Sequence, residues 1–555
     1  MEFSREAHLT ALRTGTFDVL VVGGGITGLG VALDATTRGL NVALVEREDF
    51  SSGTSSKSSK LAHGGLRYLQ QGEIGLVYEA LHERQRMLRN APHLVQIMPF
   101  MIPILTKDGV ISKKIARALG SALWMYDLTG GWRIGKLHRR LRARQAHAHF
   151  PTMPSEKLSS GYLYYDATVD DSRLCVAVAR TAAERGATIV NRTRVTKVTH
   201  DDSGRANGAV VTTREGETFT VSARVVVNAG GVWADEVRQA DEGRDPRSIR
   251  PAKGVHVTIP WDKARNDIAV VIPVRRDKRS LFVVPWVKNP DGTYRYTYVG
   301  TTDTDFGGDV DESQCSVDDI DYILEALNAS ITTNVTRSDV TAVWSGLRPL
   351  VRTDDDSAGG KTADLSRKHK VAVSDSGVVS ITGGKLTTYR KMAEHTVDEV
   401  CSRLGTSQRS SSKRCKLVGA RGFDRSALEG PNAHLASRYG TEAAKVLAIA
   451  AERPELARPL IDGLPYLAAE AIFAVRHEMA LTLDDVLSRR TRARILDRRA
   501  SVNGARRVAE LIAPELGWSQ SDIDAQVRDF VDSCAREDAA GMVSEAEYLA
   551  STRQD

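Results

Sequence analysis

At 555 residues, with 41% hydrophobic and 26% charged side chains, the chain is too long for a single core and has the composition of a soluble globular protein of two or three domains. A net charge of +6 is too small to indicate a nucleic-acid binder and only tilts the surface toward acidic ligands or anionic membranes. No apolar run reaches transmembrane length, the polar start Met1–Thr16 does not read as a signal peptide, and five cysteines without a CxxC pair suit a reducing compartment and supply no metal site.

Phe17–Val22 is a short, β-branched apolar run that reads as a buried strand. Gly23-x-Gly25-x-x-Gly28 then turns into a helix. Its glycines let the backbone approach a pyrophosphate, and the helix N-terminus offers free N–H groups to it. A second apolar run, 41–45, ends in Glu46, which lies 18 residues after Gly28, the spacing of a carboxylate that takes a ribose hydroxyl. Strand, glycines, helix, strand and acid in this order point to an ADP-containing dinucleotide without choosing between FAD and NAD.

Residues 49–61 are dense in serine and threonine, as in a flexible loop or one that hydrogen-bonds a long polar cofactor. The following His63-Gly64-Gly65-Leu66-Arg67-Tyr68 favours the second reading, because two glycines allow close backbone approach next to a guanidinium and a phenol. Residues 76–90 have the period of an amphipathic helix, and 97–105 is an apolar run broken by Pro99 and Pro103. From 107 to 144, ten Lys/Arg face only Asp108 and Asp127, with Trp124, Tyr126 and Trp132 interleaved. That pattern fits either a solvated basic helix pair or a membrane-surface patch. Asp170 caps a helix that Gly186 stops. Strands follow, and the run 225–227 ends in Asn228-Ala229-Gly230-Gly231, as a strand does where it abuts a ligand. Residues 250–310 are β-rich and 318–331 helical. The polar segment 353–365 reads as an exposed loop, and a hairpin over 371–381 leads into Thr382-Gly383-Gly384-Lys385-Leu386-Thr387-Thr388-Tyr389-Arg390 and another helix. Residues 402–415 read as a linker and 427–552 as a separate helical domain. There is no internal repeat.

Several segments together carry a family resemblance. They are Thr54-Ser55-Ser56-x-Ser58-Ser59-Lys60-Leu61-x-His63-Gly64-Gly65-Leu66-Arg67-Tyr68, Lys253-Gly254-x-His256, Gly300-Thr301-Thr302-Asp303, Ser345-Gly346-x-Arg348-Pro349-Leu350 and Gly383–Arg390. In this order they resemble the D-amino-acid-oxidase-like flavoproteins, and within them the FAD-dependent (aerobic) glycerol-3-phosphate dehydrogenases. The resemblance decides FAD, bound non-covalently, over NAD. It implies an α/β fold: an FAD-binding Rossmann-like (βαβ) domain (1–100, 165–245 and 340–400), an inserted β-rich substrate or cap domain (101–164 and 246–339), a linker (401–424) and a C-terminal α-helical domain (425–555) that includes Arg489-Arg490-Thr491-Arg492.

The resemblance also distributes roles. Gly23, Gly25 and Gly28 take the pyrophosphate and Glu46 the adenosine ribose. Thr54, Ser55 and Ser59 hold the pyrophosphate or ribityl region, with Ala229 and Gly230 at the strand end. His63, Gly64 and Gly65 lie along the isoalloxazine edge, and Gly384, Lys385, Leu386 and Thr387 open a helix toward the flavin's pyrimidine side. The substrate is sn-glycerol 3-phosphate, oxidised to dihydroxyacetone phosphate by hydride transfer from C2 to the flavin. Its phosphate calls for guanidinium forks, from Arg67, Arg348 and Arg367. Lys253, Tyr68, Thr302 and Asp303 complete the substrate set. Tyr68 either packs on the ring or bonds the phosphate, and Thr302 and Asp303 either orient substrate hydroxyls or structure the turn. His256 is the candidate base, with a pKa near neutral, against an inward strand residue with a satisfied ring; Lys385 and Arg348 stabilise the oxyanion. Electrons pass to a membrane quinone from a cytoplasmic protein held peripherally on the inner, anionic face of the cell membrane, and a homodimer is compatible with the sequence. An oxidase that uses oxygen and releases peroxide, an amine or D-amino-acid oxidase, and a non-enzymatic dinucleotide-binding regulator are the competing readings.

Overall fold

The computed structural model describes residues 3–65, 73–105, 113–130, 134–244, 246–274, 276–277, 279–352 and 368–552. Arg67, Tyr68 and Arg367, assigned to the substrate, lie outside the described residues, as does the polar segment 353–365.

The first sheet is built on Thr16–Val22, whose last four residues are all buried. Parallel neighbours flank it: Val42–Val45 then Thr188–Val190 on one side, Thr218–Asn228 then Val379–Thr382 on the other. Apolar runs buried on both faces suit such parallel strands. The helix Ile26–Thr37 makes the first crossover and packs against the helices Asp171–Glu184 and Tyr389–Leu404. The antiparallel strands Thr193–His200 and Ala206–Thr213 complete the sheet beside Thr218–Asn228.

Among the described residues the second sheet has ten strands, with Ile249–Pro260 paired to Tyr294–Gly300 on one side and to Ala342–Val351 on the other. The helix Val317–Asn328 packs on its back, over Val255, Val257 and Ile259. Two boundaries differ from the expected division. Ala342–Val351 sits in this sheet, paired from Ile249↔Val351 to Thr258↔Ala342, and not with the 340–400 cofactor segment. Val95–Leu105 is one unbroken strand beside Leu158–Val169. Pro99 and Pro103 are four residues apart, so both missing donors fall on the same side of the strand and the ladder on the other side survives.

The C-terminal domain is helical, with long helices Arg498–Leu516 and Gln520–Ala540 closing a core around Ile472, Val486 and Val508. The segment read as a linker is packed, not free. Ser410 Oγ bonds Asp34 Oδ1 at 2.5 Å, Ser412 Oγ receives Arg390 Nη1 at 3.1 Å, and the Leu417 N–H bonds the Asn90 carbonyl.

Candidate active site

The C-terminal ends of Thr16–Val22, Val42–Val45, Thr218–Asn228 and Val379–Thr382 open on one cavity of about 570 Å3, where an open α/β sheet offers its ligand crevice. Gly23, Gly25, Glu46, Thr54, Ser55, Ala229, Gly230, Gly384, Lys385 and Leu386 line it. Ten residues assigned to cofactor or catalysis therefore meet at one place from five separate stretches of chain. Gly28 lies behind the lining for a steric reason: a Cβ there would stand 2.0 Å from the Gly23 carbonyl oxygen, so it is the glycine that lets the helix start close under the loop. Ser55 Oγ accepts the Ile26 N–H at 2.9 Å and ties the serine loop to the first turn of that helix. Glu46 accepts from the Gly24 N–H at 2.6 Å and from the Glu48 N–H at 2.8 Å. Burial raises its pKa, and those two donors oppose the rise.

At the opposite end of the lining, Gly383 and Gly384 take φ of +75° and +82°, and a Cβ on Gly384 would come within 2.4 Å of Met392 Sδ. The turn therefore needs glycine. It leads through Leu386–Thr388 into the helix Tyr389–Leu404. Thr387 Oγ1 accepts the His63 N–H at 3.1 Å, so two segments 324 residues apart are joined beside the cavity. The Gly64 N–H bonds Tyr126 Oη at 3.1 Å and Asp166 Oδ1 at 3.3 Å. Burial lowers the His63 pKa against the pull of Asp166, and the Lys385 and Arg84 charges add to the lowering. His63, Gly64, Gly65 and Thr387 adjoin the lining without forming part of it.

The substrate candidates divide by strand parity. His256, Gly254 and Ala252 pair with Trp344, Gly346 and Arg348, so His256 and Arg348 share one face of the sheet with a glycine pair between them. A Cβ on Gly254 would stand 2.5 Å from Arg348 Nη2, and one on Gly346 2.6 Å from the Lys57 carbonyl oxygen. The His256 ring stacks on Trp344 at 4.7 Å and 6°, and its Nε2 meets Ser59 Oγ at 2.9 Å. Its buried Nδ1 has no hydrogen-bond partner among the described residues. Burial first, then the Lys60 and Arg348 charges, holds the His256 pKa well below the ordinary value. The near-neutral pKa expected of it is not what this environment produces.

Arg348 is braced on both nitrogens. Nη1 donates to Asp303 Oδ1 at 3.1 Å and to the Lys253 carbonyl at 3.2 Å, and Nη2 to Thr301 Oγ1 at 3.2 Å and the Thr302 carbonyl at 3.1 Å. Asp303 thus orients an arginine. Thr302 structures the turn, since its buried hydroxyl accepts the Val255 N–H at 2.9 Å. Lys253 corrects the expectation that it meets the substrate. Its odd strand position turns it from the His256 face, and its ammonium is buried in ion pairs with Asp319 at 2.7 Å and with Glu545. Ser59, assigned to the cofactor, is outside the lining and bonded to His256.

Sequence reasoning passed over several groups. Trp233, Glu236 and the strand residues Thr193–Thr196 line the end of the cavity near Glu46. Trp233 stands two residues after Asn228-Ala229-Gly230-Gly231 and was legible there. Lys60 lies over the Trp344 ring at 4.3 Å, its pKa pushed down to about 8 by burial against the attraction of Asp171.

Residues 18–390 match the family of FAD dependent oxidoreductases, and residues 408–523 match the C-terminal domain of alpha-glycerophosphate oxidase. Glycerol-3-phosphate dehydrogenase 2 of Mycobacterium tuberculosis is 41% identical over 534 residues, which cover 94% of this chain and 88% of that protein. The chain belongs to the FAD-dependent glycerol-3-phosphate dehydrogenase family. Among its relatives, the mouse mitochondrial glycerol-3-phosphate dehydrogenase is 39% identical over 556 residues, 93% of this chain and 73% of the mouse protein. The Bacillus halodurans glycerol-3-phosphate dehydrogenase, solved in complex with FAD, superposes with a TM-score of 0.75 at 30% identity, covering 96% of this chain and 97% of that one. The cofactor of this dehydrogenase-family chain is therefore FAD. The residues present fit it: a glycine cradle closed to any Cβ at Gly23, a helix N-terminus behind the cradle, and a buried carboxylate at the end of the second strand.

Proposed function

We propose that the protein oxidises sn-glycerol 3-phosphate to dihydroxyacetone phosphate and delivers the electrons to a membrane quinone. The observation that carries the substrate reading is the shared face of His256 and Arg348, a neutral imidazole and a braced guanidinium separated by two glycines. The names of the relatives support it.

FAD, when bound, supplies the two-electron acceptor. Arg348 presents a fixed fork to the phosphate, and its braces at Asp303 and Thr301 hold it in place before the ligand arrives. His256 receives the C2 hydroxyl proton. Its low pKa keeps it unprotonated and able to accept, and a phosphate dianion nearby offsets the Lys60 and Arg348 charges that depress its basicity. Lys385, on the cavity wall, opposes negative charge developing on the C2 oxygen.

The membrane reading is supported by the helix pair Ile74–Asn90 and Lys113–Thr129. They pack through Val77, Leu81, Leu123 and Tyr126 and leave Ile74, Tyr78, Trp124, Met125 and Leu128 exposed, with Leu137 beside them and Arg139, Arg140 and Arg142 exposed on the next strand. Apolar and aromatic side chains next to a row of cations suit an anionic bilayer surface. No helix among the described residues is long and apolar enough to cross a membrane. The acceptor is tested by turnover on glycerol 3-phosphate with a short-chain quinone and, separately, with oxygen. Quinone reduction with little peroxide is the expected result, and rapid stoichiometric peroxide release without quinone reduction would make the protein an oxidase.

A further inference from the structure

We propose that the C-terminal helical domain is a working part of the FAD site: the segment Arg489-Arg490-Thr491-Arg492 clasps both cofactor loops and sets how tightly FAD is held. This rests on the family's cofactor and not on the substrate assigned above.

The segment begins inside a π-helical turn, Asp485–Arg490, and Arg492 just beyond it takes a left-handed φ of +83°. Such backbone is uncommon for a side-chain-bearing residue and persists where the surroundings fix it. Together the two irregularities bring three guanidinium groups onto the cofactor domain, where all three are buried or nearly so. Arg492 Nη2 donates to the Ser56 carbonyl at 2.6 Å and to Asp171 Oδ1 at 2.7 Å. The second oxygen of Asp171 accepts the Ser58 N–H at 3.0 Å and the Ser58 hydroxyl at 2.7 Å. Ser56 and Ser58 lie between Ser55, which is bonded to the Ile26 N–H at the glycine loop, and Ser59, which is bonded to His256.

Arg490 grips Asp49 with both terminal nitrogens, at 2.7 and 2.8 Å, and Arg489 Nε joins it at 2.6 Å. Asp49 is fully buried, and the Arg490 and Arg489 charges outweigh that burial and keep its carboxyl well below the usual range. It stands three residues after Glu46, and the Ser51 N–H just beyond it bonds the Gly24 carbonyl.

The partners on the cofactor domain are not scattered, as mere cement between domains would allow. They are the loop that carries Glu46, the loop that carries Thr54 and Ser55, and Asp171, which fixes the latter. Free energy that holds those loops in their cofactor-ready form is coupled to domain docking, and coupling of this kind is reciprocal. Loosening the clasp should loosen FAD, and binding FAD should tighten the clasp.

The test reads flavin release and not turnover, so it stands apart from the substrate reading. Holoenzyme is diluted and the recovery of free FAD fluorescence is timed for Arg492→Met, Arg492→Lys, Ser58→Ala and Arg476→Met. Among the described residues Arg476 pairs only within the helical domain, with Glu452 and Glu515, and serves as the control. Arg492→Met should release FAD about tenfold faster, Ser58→Ala several-fold faster, Arg492→Lys less than Arg492→Met, and Arg476→Met at the wild-type rate. Wild-type release from both Arg492→Met and Ser58→Ala would overturn the proposal, as would equal acceleration by Arg476→Met. Hydrogen exchange on the wild-type chain needs no variant. FAD should protect amides in 485–496 relative to the FAD-stripped protein, and protection confined to the cofactor domain would refute the clasp even if Arg492→Met fails to fold.

Discussion

The guanidinium of Arg348 is preorganised by four acceptors, one of them the Asp303 carboxylate at 3.1 Å. Charge-assisted hydrogen bonds to a desolvated phosphate are worth about 1.5–3 kcal/mol each. Arg348→Ala should therefore lower kcat/KM for glycerol 3-phosphate by roughly 10- to 150-fold, chiefly through KM, measured by steady-state dye reduction. A KM within twofold of wild type would remove Arg348 from the phosphate. The same residue shows where sequence reading stops. The sequence marks Arg348, His256 and Lys385 because they sit inside dense motifs. Lys253 sits in one too, three residues from His256, but one-residue parity on a strand sends neighbours to opposite faces and buries its charge against Asp319. Motif membership carries no parity until the register is known.

The elements that frame the cavity were easier to read than those that support the substrate face. Glycines, strand and acid in the first βαβ are local signals, and all of them lie where their spacing puts them. The strand Val95–Leu105 was obscured by its two prolines, and Ala342–Val351 was grouped with the FAD-binding segment 340–400 because its pairing with Ile249–Pro260 spans about a hundred residues of chain that no local pattern encodes. The helix Lys113–Thr129 left two readings open, a solvated basic face or a membrane surface. Its exposed apolar residues favour the second, with Trp124 56% and Leu128 74% exposed. Trp124→Ser combined with Leu128→Ser should reduce co-sedimentation with anionic phospholipid vesicles several-fold and leave dye-linked turnover in solution unchanged. Undiminished vesicle binding would assign the patch another purpose.

At the scale of the whole molecule, the cavity is framed by segments from Val22 to Met392, and the later ones are brought to the earlier by the parallel pairing of Val379–Thr382 with Thr218–Asn228. The helical domain was legible as helices from its apolar period, but its attachment was not. Arg489, Arg490 and Arg492 look like a solvated basic run until Asp49, Asp170 and Asp171, more than 300 residues earlier, are found against them. Buried charge pairs across such separations leave no periodic trace in either partner. Oxidation of glycerol 3-phosphate by the protein's own FAD is checked by mixing the purified yellow protein with glycerol 3-phosphate in the absence of oxygen and following the flavin absorbance band. Prompt bleaching by glycerol 3-phosphate and none by D-amino acids or amines is expected; a flavin that stays oxidised with glycerol 3-phosphate while one of those substrates reduces it would refute that activity.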